Sequence, residues 1–144
     1  VSLAYFDSSA FVKLLVEEEG SELAASVWDG CDAALSSRLA YPEVRAALAA
    51  AARNHDLDDD DLELAEQAWA GYWAATRPVE LTSTVEQSAG QLARDYALQA
   101  ADAVHLASAL AIGDAELVVA VWDGRLHDGA RAANLRVVPD RLTP

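Results

Sequence analysis

The chain has 144 residues, a hydrophobic share of 53% and a formal net charge of −14, from 24 acidic against 10 basic side chains. That length and apolar content suit one domain, residues 1–144, with a core of its own. The acidic excess argues against a protein that holds nucleic acid on a basic surface, the absence of an apolar run near the ~18 residues of a membrane span argues against a membrane partner, and the lack of a leader pattern implies a cytoplasmic location. Cys31 is the single cysteine, which excludes an internal disulfide and a multi-cysteine zinc site.

In chain order, Leu3–Phe6 is a short apolar and aromatic run suited to a buried strand, and it stops at Asp7. Phe11, Val12, Leu14 and Leu15 then set a helical pattern that Ser8 or Ser9 can cap. Asp7 falls at the carboxyl end of a strand, the edge where open parallel sheets bind ligands, although an acid there also suits the start of a turn. Ser21–Trp28 reads as a short helix, and Ala33–Ser36 as a strand ending in the polar pair Ser36-Ser37. The run from Tyr41 to Leu48 opens a helix that continues to about Arg53, with Pro42 and Glu43 in its first turn.

Asp58–Asp61 with Glu63 is the densest acidic run. It reads as the solvated start of a helix from about Asp60 to Ala75, where negative side chains favour the amino-terminal dipole, because it lacks the glycine and spacing of a calcium-binding loop. Trp69 and Trp73, one turn apart on that helix, read as core or partner surface in preference to a base-stacking platform. Pro78–Leu81 is a third strand candidate, followed by a helix capped within Thr82–Thr84 and running to about Tyr96. The segment from Gln99 to Leu110 is a strong helix ending at Gly113, with Asp102 near its start. Leu117–Val121 is a β-branched run of the kind buried on both faces, and it continues through Trp122 into Asp123. A helix from about Arg125 to Ala133 and a strand over Leu135–Val138 close the pattern, which predicts an α/β fold: a three-layer α/β/α sandwich with a mainly parallel central sheet.

Asp7 and Asp123 end strands, and Glu43 and Asp102 start helices. In a parallel sheet those positions share one edge. Four carboxylates in one pocket raise each other's pKa unless cations lie between them, and hard ions such as Mg2+ or Mn2+ take oxygen ligands. Two such ions about 4 Å apart can activate water and stabilise the leaving oxygen of a phosphodiester. Lys13, Arg38, Arg45 and Arg125 stand near these acids in sequence and are candidate substrate contacts. His105, one turn after Asp102, reads as a structural histidine with a partner in the core.

Asp7 with Ser8-Ser9, Glu43 in Tyr-Pro-Glu-Val, Asp102 in Ala-Asp-Ala-Val-His-Leu-Ala and Asp123 in Val-Trp-Asp-Gly-Arg-Leu resemble the signature of PIN-domain nucleases. More narrowly, the short chain resembles the VapC toxins of bacterial toxin–antitoxin pairs, over essentially its whole length. The resemblance implies a metal-dependent endoribonuclease held inactive by a cognate antitoxin, with an RNA substrate and a homodimeric state. It implies that Asp7, Glu43, Asp102 and Asp123 are metal-binding and catalytic, with Ser9 a polar neighbour. Val121 departs from the pattern, standing where many relatives carry a hydroxyl residue.

Other readings fit less well. A receiver domain needs an acidic pair after its first strand and a lysine after a late one, whereas the only lysine is Lys13. A haloacid-dehalogenase-type phosphatase needs a second Asp where Ser9 stands. No glycine-rich phosphate loop and no Ser or Cys nucleophile with a paired His is recognisable. The alternative from another class is a catalytically idle PIN-like module that binds RNA or protein, whose mark would be a missing acid.

Overall fold

The computed structural model describes residues 1–143. In chain order the elements are β1 (Leu3–Phe6), α1 (Ser8–Leu15), α2 (Ser21–Gly30), β2 (Ala33–Ser37), α3 (Ala40–Arg53), α4 (Asp59–Ala74), β3 (Thr76–Val79), α5 (Ser83–Asp95), α6 (Ala100–Ile112), β4 (Val118–Ala120), α7 (Gly124–Ala132) and β5 (Arg136–Val138). The strands form one parallel sheet in the order β3-β2-β1-β4-β5.

Side chains alternate along β1, so Ala4 and Phe6 enter one core and Tyr5 the other. The first core gathers Phe11, Val44, Leu48 and Trp69 from α1, α3 and α4. The second gathers Val85, Leu106 and Leu126 from α5, α6 and α7. Helices on both faces make the α/β/α sandwich that the alternating pattern implied. Trp69 is fully buried and stacks edge-on against Phe11, so the Trp69–Trp73 turn belongs to the core and not to an open stacking surface. The acidic run behaves as a helix start: Asp58 Oδ1 accepts from the Asp61 N–H at 2.7 Å.

Three local expectations shift. The cap of α1 is Asp7 itself, whose Oδ1 accepts from the Ala10 N–H at 2.9 Å; the helix begins at Ser8, which leaves Ser9 free for another partner. The third strand starts at Thr76 instead of Pro78. Thr76 is buried and Leu81 is 57% exposed, and Pro78 is tolerated because β3 is an edge strand that can leave one side without N–H donors. Only Val118–Ala120 of the β-branched run forms ladder pairs, although Leu117 and Val121 flank it in the same apolar core.

The connection from β1 through β2 to β3 moves outward on one side, and β4 then returns to the other side of β1. The order reverses between β1 and β4, so the carboxyl ends of those two strands open a crevice. Among the described residues, no helix is long and apolar enough to cross a membrane.

Candidate active site

The crevice is filled by the acids. Asp7 follows β1, Asp123 follows β4 after Val121 and Trp122, Glu43 lies in the first turn of α3, and Asp102 in the first turn of α6. Together with Ser9 and His105 they line one cavity of about 190 Å³.

Each position has a local cause. Asp7 and Asp123 are helix N-caps: Asp7 Oδ1 accepts from Ala10 N, and Asp123 Oδ1 accepts from Leu126 N at 3.0 Å. Capping satisfies amide donors that a helix start otherwise leaves unpaired, and it directs each carboxylate over the strand end that precedes it. Glu43 is held from across the cavity, its Oε1 2.6 Å from His105 Nε2. In each of these three acids one oxygen is engaged by the protein, and no hydrogen bond is made to the other among the described residues.

The electrostatics follow from burial. Asp7 is 2% exposed. Desolvation lifts its carboxyl from the ordinary 3.8 to about 6, against the opposing pull of the hydrogen bonds from Ser9 and Ala10. Asp102 is raised as well, first by burial and then by the charges of Asp123 and Glu43. Two carboxyl groups held above their usual range in one cavity mark a site that gains from a cation.

The donor set is all oxygen, which suits a hard divalent ion. Among the described residues the acids are not drawn into a preformed cluster of three metal donors. A cavity of about 190 Å³ leaves space between them for water, at about 30 Å³ per molecule. This arrangement fits Mg2+, which keeps several of its waters and takes only one or two carboxylates directly.

The basic candidates divide. Lys13 turns to Glu18 at 3.1 Å, and its Nζ lies 5.9 Å from the centre of the Trp122 ring. Arg38 pairs with Glu80, and Arg45 reaches Glu66 at 3.7 Å. Arg125 makes no ion pair among the described residues and stands near enough to Asp102 to oppose the rise in its pKa. Val121 is fully buried in the apolar core and does not line the cavity.

Sequence reasoning missed the chain of contacts behind Glu43. Tyr5 Oη lies 2.7 Å from His105 Nδ1, so one buried ring links β1 to the acid on α3. Its only signal was His105 at one turn from Asp102; nothing local to Tyr5 or Glu43 pointed to the other two.

Comparison with known proteins matches the PIN domain family over residues 4–129. The chain is 72% identical over 142 residues to Ribonuclease VapC45 of Mycobacterium tuberculosis (strain CDC 1551 / Oshkosh), with 99% of each chain covered. The same figures hold for Ribonuclease VapC49 of Mycobacterium tuberculosis (strain ATCC 25618 / H37Rv). Among solved structures, a toxin–antitoxin complex from Klebsiella pneumoniae contains a chain with the same fold, at a TM-score of 0.66 and 18% identity over 97% of this chain and 99% of that one.

Proposed function

This chain belongs to the PIN-domain family, among relatives of the VapC ribonuclease type, and from that premise we propose that it is an endoribonuclease toxin whose active centre is Asp7, Glu43, Asp102 and Asp123. One observation carries the assignment of the centre: four carboxylates from four separate elements line one cavity at the point where the strand order reverses. The capping roles of Asp7 and Asp123 do not account for Glu43 and Asp102 lining the same cavity.

Asp7, Glu43, Asp102 and Asp123 would hold Mg2+ or Mn2+. A divalent ion in such a site supplies an activated water and offsets charge gathering on the phosphate. The protein's own part is to fix the ligands. Ser9 and the Ala10 amide hold one oxygen of Asp7, Leu126 N holds one oxygen of Asp123, and His105 holds one oxygen of Glu43. The remaining oxygens are left for the ion. Arg125, at the start of α7, is placed to meet a substrate phosphate.

Hydrolysis by in-line attack of water needs no ribose 2′-hydroxyl. The products then carry a 5′-phosphate and a 3′-hydroxyl. The rest of the proposal is a single nuclease domain over residues 1–144, a homodimeric state, and a cognate antitoxin that covers the cavity; the fold shared with a chain of a toxin–antitoxin complex supports the last of these.

The test is RNA cleavage with Mg2+ or Mn2+, with EDTA, and with Asp7→Asn protein, followed by analysis of the ends. Cleavage that depends on metal and on Asp7 and leaves 5′-phosphates is expected. Undiminished cleavage by Asp7→Asn, or cyclic 2′,3′-phosphate ends, overturns the reading. An idle binding module predicts no metal-dependent cleavage at all.

A further inference from the structure

We propose that His105, itself held by Tyr5, is a positioning residue for Glu43: it grips one carboxylate oxygen from Nε2 and thereby presents the other to the cation site. The inference rests on the reading of the four acids as metal ligands.

The three residues come from different layers. Tyr5 lies in the central strand β1, His105 on α6 against one face of the sheet, and Glu43 on α3 against the other. His105 is 2% exposed and Glu43 has 26% of its side chain exposed, so the ring is enclosed by the protein while the acid reaches partly into the open cavity. A glutamate has three side-chain torsions to settle, and a buried ring hydrogen-bonded at both nitrogens removes much of that freedom.

The direction of the hydrogen bonds follows from what each group can do. The Ser37 N–H can only donate, and it lies 3.1 Å from Tyr5 Oη, which therefore accepts. A phenol carries its proton at neutral pH, so Tyr5 Oη still has one hydrogen to donate. Its near acceptor is His105 Nδ1 at 2.7 Å. With Nδ1 accepting, Nε2 carries the ring hydrogen and donates it to Glu43 Oε1 at 2.6 Å. The ring stands edge-on to Tyr5, with centroids 5.9 Å apart and planes at 80°, which keeps Nε2 aimed across the crevice. A histidine that only filled space would need neither partner. Here both nitrogens are used, and one of them reaches an acid 62 residues away in sequence.

The experiment is calorimetric titration of Mn2+ into the purified protein, together with kcat and KM for RNA cleavage and a melting curve. The proteins are the wild type, Glu43→Gln, His105→Leu, His105→Gln, Tyr5→Phe and the double variant Glu43→Gln/His105→Leu. Loss of a residue that orients a metal ligand lowers metal affinity about 10- to 100-fold, and that loss is expected for His105→Leu, with kcat falling and KM for RNA little changed. His105→Gln should recover most of the affinity, because its carbonyl can accept from Tyr5 and its amide can donate to Glu43. In the Glu43→Gln background, His105→Leu should cost nothing further. Wild-type Mn2+ affinity in His105→Leu, or an equal loss in the Glu43→Gln background, overturns the proposal. Should His105→Leu fail to fold, Tyr5→Phe carries the test: reduced Mn2+ affinity is expected, and unchanged affinity overturns the proposal. A fault in the underlying site shows separately, as wild-type Mn2+ binding and cleavage by Glu43→Gln itself.

Discussion

The Ser9 hydroxyl donates a hydrogen bond of 2.6 Å to Oδ1 of Asp7. Ser9 Oγ in turn accepts from the Trp122 N–H at 2.8 Å, so the Ser9 side chain ties the end of β1 to the end of β4 across the crevice. Ser9→Ala removes both bonds and leaves a backbone donor without its partner. An unsatisfied buried donor costs about 1–3 kcal/mol. Urea unfolding should show a loss of that order, and RNA cleavage should fall about tenfold or more as Asp7 and Asp123 lose their common anchor. Ser9→Thr, which keeps the hydroxyl, should retain most of both. Unchanged cleavage by Ser9→Ala would show that the bridge does not position the acids.

Asp7 makes the stability of the metal-free protein depend on pH. Below 3.8 the carboxyl is protonated in both folded and unfolded chains; between 3.8 and about 6 the unfolded chain releases the proton while the folded one keeps it. Stability should therefore fall as pH rises through that window, by about 3 kcal/mol for this group, and level off above it. The measurement is the difference between wild type and Asp7→Asn in urea titrations with EDTA from pH 4 to 7, which isolates Asp7 from the other carboxylates. Asp7→Asn should gain on wild type as pH rises. Mg2+ at 100 times its dissociation constant should restore about 2.7 kcal/mol to the wild type at neutral pH. A difference that stays flat with pH would mean that Asp7 ionises normally.

RNA binding should respond weakly to salt. Of the basic candidates, Lys13, Arg38 and Arg45 are drawn to Glu18, Glu80 and Glu66, and Arg125 has no such pairing among the described residues. Four phosphate contacts on single-stranded RNA would give a slope of log affinity against log salt no steeper than about −3, and a single one about −0.7. With three of the four side chains engaged elsewhere, the slope should lie nearer the second figure. Arg125→Gln should make it shallower by about 0.7. Binding by Asp7→Asn protein over a monovalent salt series at constant divalent ion tests this without cleavage. A slope well beyond −3 would reveal a basic surface elsewhere.

Gly20 sits with φ of +95°, and a Cβ built on it would lie 2.7 Å from Nε1 of Trp122. A side chain there meets both a strained backbone and the flat edge of a ring, and Trp122 is the residue before Asp123. Gly20→Ala should cost about 1–3 kcal/mol and reduce cleavage more than a stability change of that size explains, because Trp122 must shift. Melting curves and cleavage measured well below the transition separate the two effects. Full activity in a destabilised protein would show that Trp122 moves without disturbing Asp123.

Most of the elements were legible in order along the chain, because a buried strand, an acid that caps and an apolar helical stripe each leave a mark within a few residues. The strand–acid–helix passage at Phe6-Asp7-Ser8 and the capped acidic start of α4 are local events of that kind, and so was the placement of the four acids on one edge once the strands were taken as parallel. Where β3 begins was decided by which residues pair with β2, a partner about forty positions earlier, and the burial of Thr76 outweighed the apolar look of Leu81. Tertiary packing also decided which carboxylate oxygens are held and which face the cavity, since Ser9 finds Trp122 and His105 finds Glu43 only when β1, β4, α3 and α6 meet. The pairing of Lys13, Arg38 and Arg45 with acids belongs with these. Long flexible side chains settle against whatever opposite charge the fold brings near, and sequence neighbours do not report that.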